Sequence, residues 1–359
     1  MTAQGSIDFR QRLPSSEPLI HTLINAYMMS GALFTCTELD LFSYLDHHPG
    51  SGLEDIAAHC RITANQARKL LGFGQSVGLV RADRSGYHCS PEAARLLSRH
   101  SPHNLCAAMA HHQRHVYPLF NGLSDSMRQQ TPICDRLDPD ADSEFYAQLD
   151  KKEEEFQLFM EAMNTFSRGA GTRLAELIKL RVGNDRPLRI LDLGGGGGQV
   201  AIELAKHLPG AQIVLVDLDK AVRHAEAQVI AQELQARIEC RVGDIFAPMP
   251  NGPLFDVVLL SAVLGDWSLP YQNKLLDSAY SQLRSGGLLV VSETLLDDDL
   301  GGPILPALMS LYVQVLTEGG ENFSAARLCK LLTDRKFHSI EVNDNRAIGC
   351  RDTVIAERP

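Results

Sequence analysis

Five consecutive glycines, Gly194 to Gly198, restrict this chain more than any other feature of its sequence. They follow the apolar segment Leu191-Asp192-Leu193, and a helical pattern of apolar residues runs from Val200 to His207 behind them. A glycine turn between a strand and a helix lets the backbone approach a ligand closely, because no Cβ intervenes. The N-terminus of the following helix favours a carboxylate or a phosphate. The pattern therefore predicts a ligand site at the end of a buried strand.

Short apolar segments alternate with helical patterns from Arg189 to the end of the chain. The predicted strands are RILDLG, QIVLVD, RIECRVG, DVVLLS, GLLVVSE, HSIEVND and DTVIAER. Alternation of this kind is typical of a mainly parallel sheet that is covered by helices on both faces. No helical pattern separates the last two strands, so we expect them to form a hairpin that places one antiparallel strand in the sheet. The C-terminal part is therefore predicted to be an α/β domain with seven strands.

The N-terminal part has a different pattern. Apolar residues at helical spacing predict a pair of amphipathic helices between Glu17 and Tyr44, and two short helices between Leu53 and Leu71. Two short strands then flank a turn at residues 84–86. This order of elements is that of a winged helix, which often binds DNA. Here, however, the second helix of the motif offers only Arg68 and Lys69 as phosphate contacts, so a structural or pairing role is favoured.

A second helical stretch, residues 105–127 and 144–180, connects the two parts, and the polar segment 129–143 between its pieces is predicted to be a surface loop. We therefore divide the chain into three regions. Residues 1–104 are predicted to form a winged-helix-like dimerisation domain. Residues 105–180 are predicted to be a helical connection, and residues 181–359 the ligand-binding α/β domain.

The net charge and the cysteine pattern indicate which kinds of molecule the chain can bind. The 359 residues carry a formal net charge of -10, which argues against a nucleic-acid surface and favours a neutral or cationic small molecule. Eight cysteines are scattered without a C-x-x-C pair, so we interpret them as reduced thiols of a cytoplasmic protein without a zinc site. The first 14 residues lack the apolar core of a signal peptide, and no run of about 18 apolar residues is found. We expect neither a membrane partner nor a nucleic-acid partner.

The residues at the ends of the following strands indicate which ligand binds. Asp217 ends the second strand about 20 residues past the glycines, where an acidic side chain accepts hydrogen bonds from both ribose hydroxyls of an adenosine. This position suits an adenine dinucleotide or S-adenosylmethionine, and the alternative is that Asp217 only caps the next helix. Beyond the third strand, Asp244 could bind the adenine amino group and Phe246 could cover the adenine face. Together with the end of the fourth strand, these residues favour the methyl donor.

At this level of detail the chain resembles the small-molecule O-methyltransferase family, which includes hydroxyindole and caffeic acid O-methyltransferases and many antibiotic-tailoring enzymes. The resemblance covers most of the chain. Its motifs are ELDLFSYL, LEDIAAHC, LDLGGGGG, VDLD, GDIF, SAVLGDW, LRSGGLLVVSETLL and LTEGGENFS.

The resemblance implies a fold, an assembly and a set of donor contacts. The fold is a Rossmann-like class I methyltransferase domain, with an N-terminal winged-helix domain that is exchanged with the partner in a homodimer and helps to close the neighbour's substrate pocket. Exposed apolar surface on the helices between residues 17 and 44 predicts the same pairing. Contacts to S-adenosylmethionine are implied at Asp192, Gly194, Gly196, Asp217, Asp244 and Phe246, with Ser261 near the sulfonium end.

One position departs from the family pattern. The segment after the fourth strand usually reads L-H-D-W, and its histidine removes the proton of the substrate hydroxyl. In this chain the segment is Leu264-Gly265-Asp266-Trp267, so the usual base is missing. The acid that orients the histidine is retained as Glu293, whereas the second acid aligns with Asn322, one place after Glu321. Simple O-methylation is therefore less firmly predicted, because a phenol needs a base or an environment that stabilises phenolate.

Several residues are candidates for the missing base. Asp266 lies beside the vacant position, although it can equally be a carboxylate at the start of a loop and helix. His111, His112 and His115 form a cluster on a predicted helix, and His111 and His115 share one face. Their spacing suits a base or a metal ligand, and the alternative is that they are surface histidines. We predict no metal site.

These observations leave three classes of function. The first is methyl transfer to a small, aromatic metabolite, in which oxygen, carbon, sulfur or nitrogen accepts the methyl group. The second keeps the donor site but performs another reaction, such as hydroxylation or decarboxylation, because the histidine is missing. The third is a DNA-binding regulator, which the acidic composition and the intact donor motifs disfavour.

Overall fold

The computed structural model describes residues 8–137, 145–183, 186–247 and 252–359. Tertiary contacts divide the chain into two units, Pro14–Tyr117 and the remainder, Met1–Leu13 with Pro118–Pro359. The predicted surface loop at 129–143 is wrong for its described part, because Ile133 and Cys134 are buried in a core cluster and Cys134–Arg136 form a 3-10 turn. The rest of that segment, 138–143, and the first seven residues, where no signal peptide was expected, lie outside the described ranges.

The N-terminal unit is helical and carries one antiparallel hairpin. Its elements are α1 (Glu17–Glu38), α2 (Leu41–His47), α3 (Leu53–Cys60), α4 (Ala64–Ser76), β1 (Val80–Asp83), β2 (Gly86–Cys89), α5 (Pro91–Leu97) and α6 (Cys106–His111). The predicted helices and the hairpin are confirmed, whereas α5 was not predicted. A capping box between Thr63 and Gln66 begins α4, and the core packs around Phe42, Ile56 and Leu71.

Helix α1 has an unusually exposed apolar surface for a helix of 22 residues. Leu23, Ile24 and Tyr27 are each about 60% exposed. Among the described residues, α1 is the one helix that is long and apolar enough to cross a membrane, a test that core helices and signal sequences also pass. The sequence contained no uninterrupted apolar run of that length, because polar residues such as Asn25 and Ser30 interrupt α1. The apolar surface of α1 is therefore left uncovered by the described residues of the single chain.

The larger unit is built on a seven-stranded sheet. Its strands are β3 (Arg189–Leu193), β4 (Gln212–Asp217), β5 (Ile238–Val242), β6 (Phe255–Ser261), β7 (Leu283–Glu293), β8 (His338–Asn343) and β9 (Asp352–Glu357). The strand order is β5-β4-β3-β6-β7-β9-β8, and β9 runs antiparallel to both of its neighbours. The mainly parallel sheet with one antiparallel strand is therefore confirmed.

The remaining helices are α7 (Tyr117–Phe120), which begins at the last residue of the N-terminal unit, α8 (Leu123–Gln129), α9 (Phe145–Asp150), α10 (Glu153–Phe166), α11 (Ala170–Val182), α12 (Gln199–His207), α13 (Asp219–Ala231), α14 (Leu269–Gln282), α15 (Ile304–Leu316) and α16 (Ala325–Asp334). Helices α12 and α13 pack on one face of the sheet, and α14 and α16 pack on the other. Alternate residues of the strands enter two apolar layers, as Ile190 and Leu191 illustrate on opposite faces of β3.

The order of the strands determines where a ligand can bind. Strands β3 and β6 are neighbours, and the connection after β3 leads to β4 on one side whereas the connection after β6 leads to β7 on the other. In open parallel sheets, such a reversal opens a crevice at the carboxyl ends of the strands. The glycine run follows β3 at this edge of the sheet.

Candidate active site

The glycine run forms a tight turn at the end of β3. Gly194 and Gly196 have φ angles of +74° and +54°, a region that side chains disfavour. A Cβ on Gly195 would lie 2.4 Å from Cγ of Leu215 and 3.0 Å from Oδ2 of Asp192. Gly195 therefore has no space for a side chain, and the left-handed backbone of Gly194 and Gly196 favours glycine at both positions.

Asp217 fastens this turn to the end of β4. Its Oδ2 accepts a hydrogen bond of 2.7 Å from the backbone N–H of Gly196, and its Oδ1 accepts one of 2.7 Å from Leu218. Burial raises the pKa of Asp217, and these two donors act in the opposite direction. Helix α13 has Leu218 at its N-cap and no side-chain cap. The alternative that Asp217 merely caps this helix is therefore wrong.

Asp192 is a buried carboxylic acid at the same edge. It is 1% exposed, and no described residue forms a hydrogen bond with its Oδ2. Burial, followed by repulsion from Asp217, raises the pKa of Asp192 to about 7. A buried oxygen without a partner is costly unless a ligand satisfies it, and a ligand with positive charge also favours the ionised acid. Asp192 and Asp217 together fit a cationic nucleoside such as S-adenosylmethionine.

Aromatic rings stand beside the end of β5. Oδ1 of Asp244 accepts a hydrogen bond of 2.8 Å from the backbone of Phe246, and Asp244 is exposed. The ring of Phe246 meets Trp267 edge to face at a centroid distance of 4.7 Å, and Tyr271 at 5.2 Å. Such rings hold one another in place and provide a surface on which a flat heterocycle can stack.

Ser261 has a partner that the sequence did not indicate. Its hydroxyl accepts a hydrogen bond of 3.2 Å from Nη2 of Arg351, which also donates to the hydroxyl of Ser167 at 3.3 Å. Burial lowers the pKa of Arg351, and the negative charge of Glu293 opposes this shift. Arg351 precedes β9, and its approach to the end of β6 depends on the strand order, which local sequence patterns do not contain.

Gly265 lies within reach of the acid that was expected to orient a histidine. A Cβ built on this buried residue would lie 3.7 Å from Oε2 of Glu293 and 3.4 Å from Oδ1 of Asn322. A side chain at position 265 would therefore point at Glu293. This geometry agrees with the alignment of Leu264-Gly265-Asp266-Trp267 with the L-H-D-W segment.

Glu293 stabilises the turn that carries Gly265. Its Oε1 accepts hydrogen bonds from the backbone N–H groups of Val263, at 2.9 Å, and Leu264, at 2.8 Å. Burial raises the pKa of Glu293 to about 7, although these donors and the charge of Arg351 lower it. The acid is thus fixed in place without the histidine.

Asp266 is held by a tyrosine that was not predicted. The hydroxyl of Tyr146 on α9 donates a hydrogen bond of 2.7 Å to Oδ2 of Asp266, across 120 positions in the sequence. Burial raises the pKa of Asp266 to about 6, and the hydrogen bond from Tyr146 opposes this shift. Asp266 is therefore a stronger base than an exposed aspartate and is still largely ionised near neutral pH.

The histidine cluster belongs to the N-terminal unit. His111 and His115 are buried, with exposures of 0% and 5%, so the interpretation as surface histidines is wrong. Residues His112–Val116 form a π-helical turn instead of continuing α6, and the two Nδ1 atoms lie 2.9 Å apart. Burial lowers the pKa of His111 to about 2 and also lowers that of His112. In the described ranges, no group of three or more histidine, cysteine or acidic side chains could hold a metal ion.

The fold and the residues at its carboxyl edge define a class I methyltransferase with a donor site for S-adenosylmethionine. Comparison with known proteins supports this class. Residues 139–338 match the model of the O-methyltransferase domain.

Similar proteins cover nearly the whole chain. Human acetylserotonin O-methyltransferase is 29% identical over 95% of this chain and 97% of its own length. The 3-hydroxy-5-methyl-1-naphthoate 3-O-methyltransferase of Streptomyces sahachiroi is 31% identical over 78% of each chain. The crystal structure of human N-acetylserotonin methyltransferase in complex with SAM has a TM-score of 0.86 at 27% identity, and the match covers 96% of this chain and 99% of that one.

The chain therefore belongs to the O-methyltransferase domain family. It is an S-adenosylmethionine-dependent methyltransferase that acts on a small molecule. The predicted family, fold class, cofactor and type of reaction are thereby confirmed. These relatives give no support to the alternative of a non-methylating reaction.

Proposed function

We propose that this methyltransferase modifies an oxygen or carbon atom of a small aromatic metabolite in a biosynthetic pathway, and that Asp266 accepts the proton in place of the missing histidine. The observation that carries the proposal is the vacant position at Gly265, which leaves Asp266 as the neighbouring carboxylate with a pKa of about 6. The relatives named for methylation of acetylserotonin and of 3-hydroxy-5-methyl-1-naphthoate support an aromatic substrate. The proposal includes a carbon acceptor because the ring carbon next to a phenol oxygen is also nucleophilic.

The proposed donor site consists of the residues that surround the crevice after β3. Asp217 binds the ribose hydroxyls, Asp244 binds the adenine amino group, and Phe246 covers the adenine ring. The backbone of Gly194 and Gly196 passes close to the donor. Asp192 and Ser261 lie towards the methionine end, where carboxylates favour positive charge. When bound, S-adenosylmethionine supplies a sulfonium methyl group that is already activated, so positioning accounts for much of the rate.

Residues of the chain remove the proton that the acceptor loses during methyl transfer. Asp266 removes the proton of the acceptor as the new bond to the methyl group forms, and Glu293 keeps the turn at 263–264 in place for this step. His111 and His115 are second candidates for the base, because a neutral imidazole accepts a proton. Their burial and mutual contact favour a structural role.

Single-turnover methyl transfer to a panel of phenols, enols, thiols and amines tests this function. Asp266→Asn is expected to lower the rate by about 10² to 10⁴, which is the usual contribution of a general base. Its affinity for S-adenosylhomocysteine should stay that of the native protein. Full activity of Asp266→Asn would contradict the proposal, and a loss in His111→Gln or His115→Gln instead would assign the base to the histidine pair.

We further propose a homodimer that forms through the N-terminal unit, which we interpret as a winged-helix domain. The exposed side chains of Leu23, Ile24 and Tyr27 on α1 support pairing, since isolated proteins rarely expose large apolar patches. Light scattering should give a dimer for the native chain and a monomer for Leu23→Glu. Leu180→Glu is the matched control, because Leu180 is 80% exposed on α11. A native monomer, or binding of α1 to lipid vesicles, would contradict this proposal.

We also propose a separate function for each of the three regions predicted from the sequence. Residues 1–104 serve for pairing, 105–180 contribute to the acceptor pocket, and 181–359 bind the donor. Tyr146 in the middle region supports this assignment, because its hydroxyl reaches Asp266. The eight free cysteines support a cytoplasmic location. The net charge of -10 supports a protein that binds neither nucleic acid nor anionic membranes.

A further inference from the structure

The contact between Tyr146 and Asp266 has no counterpart in the sequence motifs. Tyr146 lies on α9, and Asp266 ends the short 3-10 turn Leu264–Asp266 after β6. We propose that Tyr146 is a positioning residue for methyl transfer, which fixes the Asp266 carboxylate through its hydroxyl and leaves the second carboxylate oxygen to receive the acceptor's proton. This inference rests on the proposed function of Asp266.

The backbone around Asp266 is fixed on both sides, whereas its side chain has a single donor. Nε2 of Gln272 donates to the carbonyl oxygens of Leu264, at 3.1 Å, and Trp267, at 2.8 Å. A Cβ on Gly320 would lie 3.0 Å from the carbonyl oxygen of Asp266, so the neighbouring segment also packs closely. Among the described residues, only Tyr146 donates a hydrogen bond to the carboxylate. Its hydroxyl therefore determines which way the carboxylate faces.

Tyr146 is itself held by aromatic neighbours. Its ring meets Phe145 and Phe159 edge to face, at centroid distances of 5.8 Å in both cases. The rings of Phe145 and Phe159 also meet at 5.5 Å, so the three form a cluster between α9 and α10. Tyr146 nevertheless stays 39% exposed. A ring that is packed on one side and open on the other can line a pocket for an aromatic acceptor.

The charged groups around Tyr146 and Asp266 determine which of the two side chains carries a proton. Burial and, to a lesser extent, the negative charge of Asp266 raise the pKa values of Tyr312 on α15 and Glu293 on β7. Burial and the nearby charge of Asp266 raise the pKa of Tyr146 well above its ordinary value. Tyr312 and Asp217 on β4 contribute further to the raised pKa of Tyr146. Tyr146 therefore keeps its proton throughout, and the proton of the acceptor passes to Oδ1 of Asp266. The transfer of the methyl group and of the proton therefore needs no further base, oxidant or metal.

Tyr146→Phe tests the role of the hydroxyl, because it keeps the aromatic packing. A hydrogen bond to a charged group contributes about 1.5–3 kcal/mol, so kcat should fall by roughly 10- to 100-fold. The acid limb of the profile of kcat/KM against pH should move to higher pH, since the hydrogen bond lowers the pKa of Asp266. The affinity for S-adenosylhomocysteine should not change. Tyr280→Phe is the matched control, because Tyr280 packs against Phe337 away from Asp266.

A second readout does not depend on turnover. Carbon-13 NMR of labelled aspartates, with Asp266→Asn to assign the signal, follows the titration of Asp266 directly. We expect a midpoint near pH 6 in the native protein and a higher one in Tyr146→Phe. Unfolding exposes Asp266, whose pKa would then fall towards the ordinary value of about 3.9, so partial unfolding would lower the midpoint and cannot imitate the expected rise.

Asp266→Asn and Tyr146→Phe together show whether the proposed function of Asp266 or only the inference about Tyr146 is wrong. If Asp266→Asn keeps full activity, the proposed function of Asp266 is wrong. If Asp266→Asn loses activity while Tyr146→Phe leaves both the pH profile and the NMR midpoint unchanged, the inference about Tyr146 is wrong and the function of Asp266 stands.

Discussion

The two halves of the proposed site are built in different ways. The donor half, around β3 and β4, depends on backbone geometry: Gly195 has no room for a side chain, and Gly196 is fastened to Asp217. The acceptor half, around β6 and β7, depends on side chains, since Gly265 has room for a Cβ and Asp266 is directed by Tyr146.

This difference explains why only one half departs from the family pattern. A side chain at Gly195 would clash with Leu215, so the turn at the donor crevice would have to shift. A change at position 265 alters only a side chain. The turn itself is still held by Glu293, which accepts hydrogen bonds from the backbone of residues 263 and 264. The acceptor chemistry can therefore change while the donor site stays intact.

The largest expected effect is on the donor half. Asp217→Ala should weaken the binding of both S-adenosylmethionine and S-adenosylhomocysteine by about 100-fold or more. The ribose hydroxyls lose a charged acceptor, and each such hydrogen bond contributes about 1.5–3 kcal/mol. The turn also loses the anchor of Gly196. Calorimetry measures the loss, and Asp219→Ala, an exposed acid that pairs with Arg223, is the control. Equal affinities in the two variants would remove the distinction between the halves.

A smaller effect is expected at the acceptor half. Gly265→His should increase the rate about 10-fold with a phenol as acceptor, because the new imidazole would stand beside Glu293 and can act as a base. Gly265→Ala reports the effect of volume alone. A loss of activity in both variants would show that the acceptor occupies the space above Gly265. Unchanged rates and affinities in both would place position 265 away from the reaction centre.

The smallest expected effect is a pH dependence of the affinity for S-adenosylmethionine, which arises from its positive charge. Asp192 has a pKa of about 7 without a ligand, so it is ionised above that pH and neutral below it. S-adenosylmethionine carries a positive charge at sulfur that S-adenosylhomocysteine lacks, and it favours the ionised acid. Its affinity relative to the product should therefore fall by roughly threefold to tenfold as the pH decreases from 8 to 6. Asp192→Asn should remove this dependence. If Glu293→Gln removes it instead, Glu293 is the acid that senses the charge.

Much of the fold could be predicted from the sequence, because it depends on local patterns. The strands from Arg189 to Glu357 are short and apolar, and the missing helix between β8 and β9 showed where the antiparallel strand lies. The predicted strand ends also located the acidic residues Asp192 and Asp217. Helix α5 was missed because its seven residues form less than two full helical periods of apolar residues.

The contacts that direct the acceptor half could not be predicted. Tyr146 and Asp266 are 120 positions apart, and Arg351 and Ser261 are 90 apart. Such pairs depend on how helices and strands pack, which neither spacing nor composition contains. The burial of His111 and the π-helical turn behind it were missed for the same reason, since an i, i+4 spacing looks alike on a surface helix and in a core.

The central claim is that the donor half is complete although the acceptor half has changed. Calorimetric titration of the native protein, Asp266→Asn and Gly265→His with S-adenosylhomocysteine tests it most directly, with NAD as the competing ligand. We predict affinities that agree within about threefold among the three proteins, a difference of less than 1 kcal/mol, and weaker or no binding of NAD. Absence of binding heat at about millimolar S-adenosylhomocysteine, which corresponds to less than about 4 kcal/mol, or tighter binding of NAD would contradict the claim.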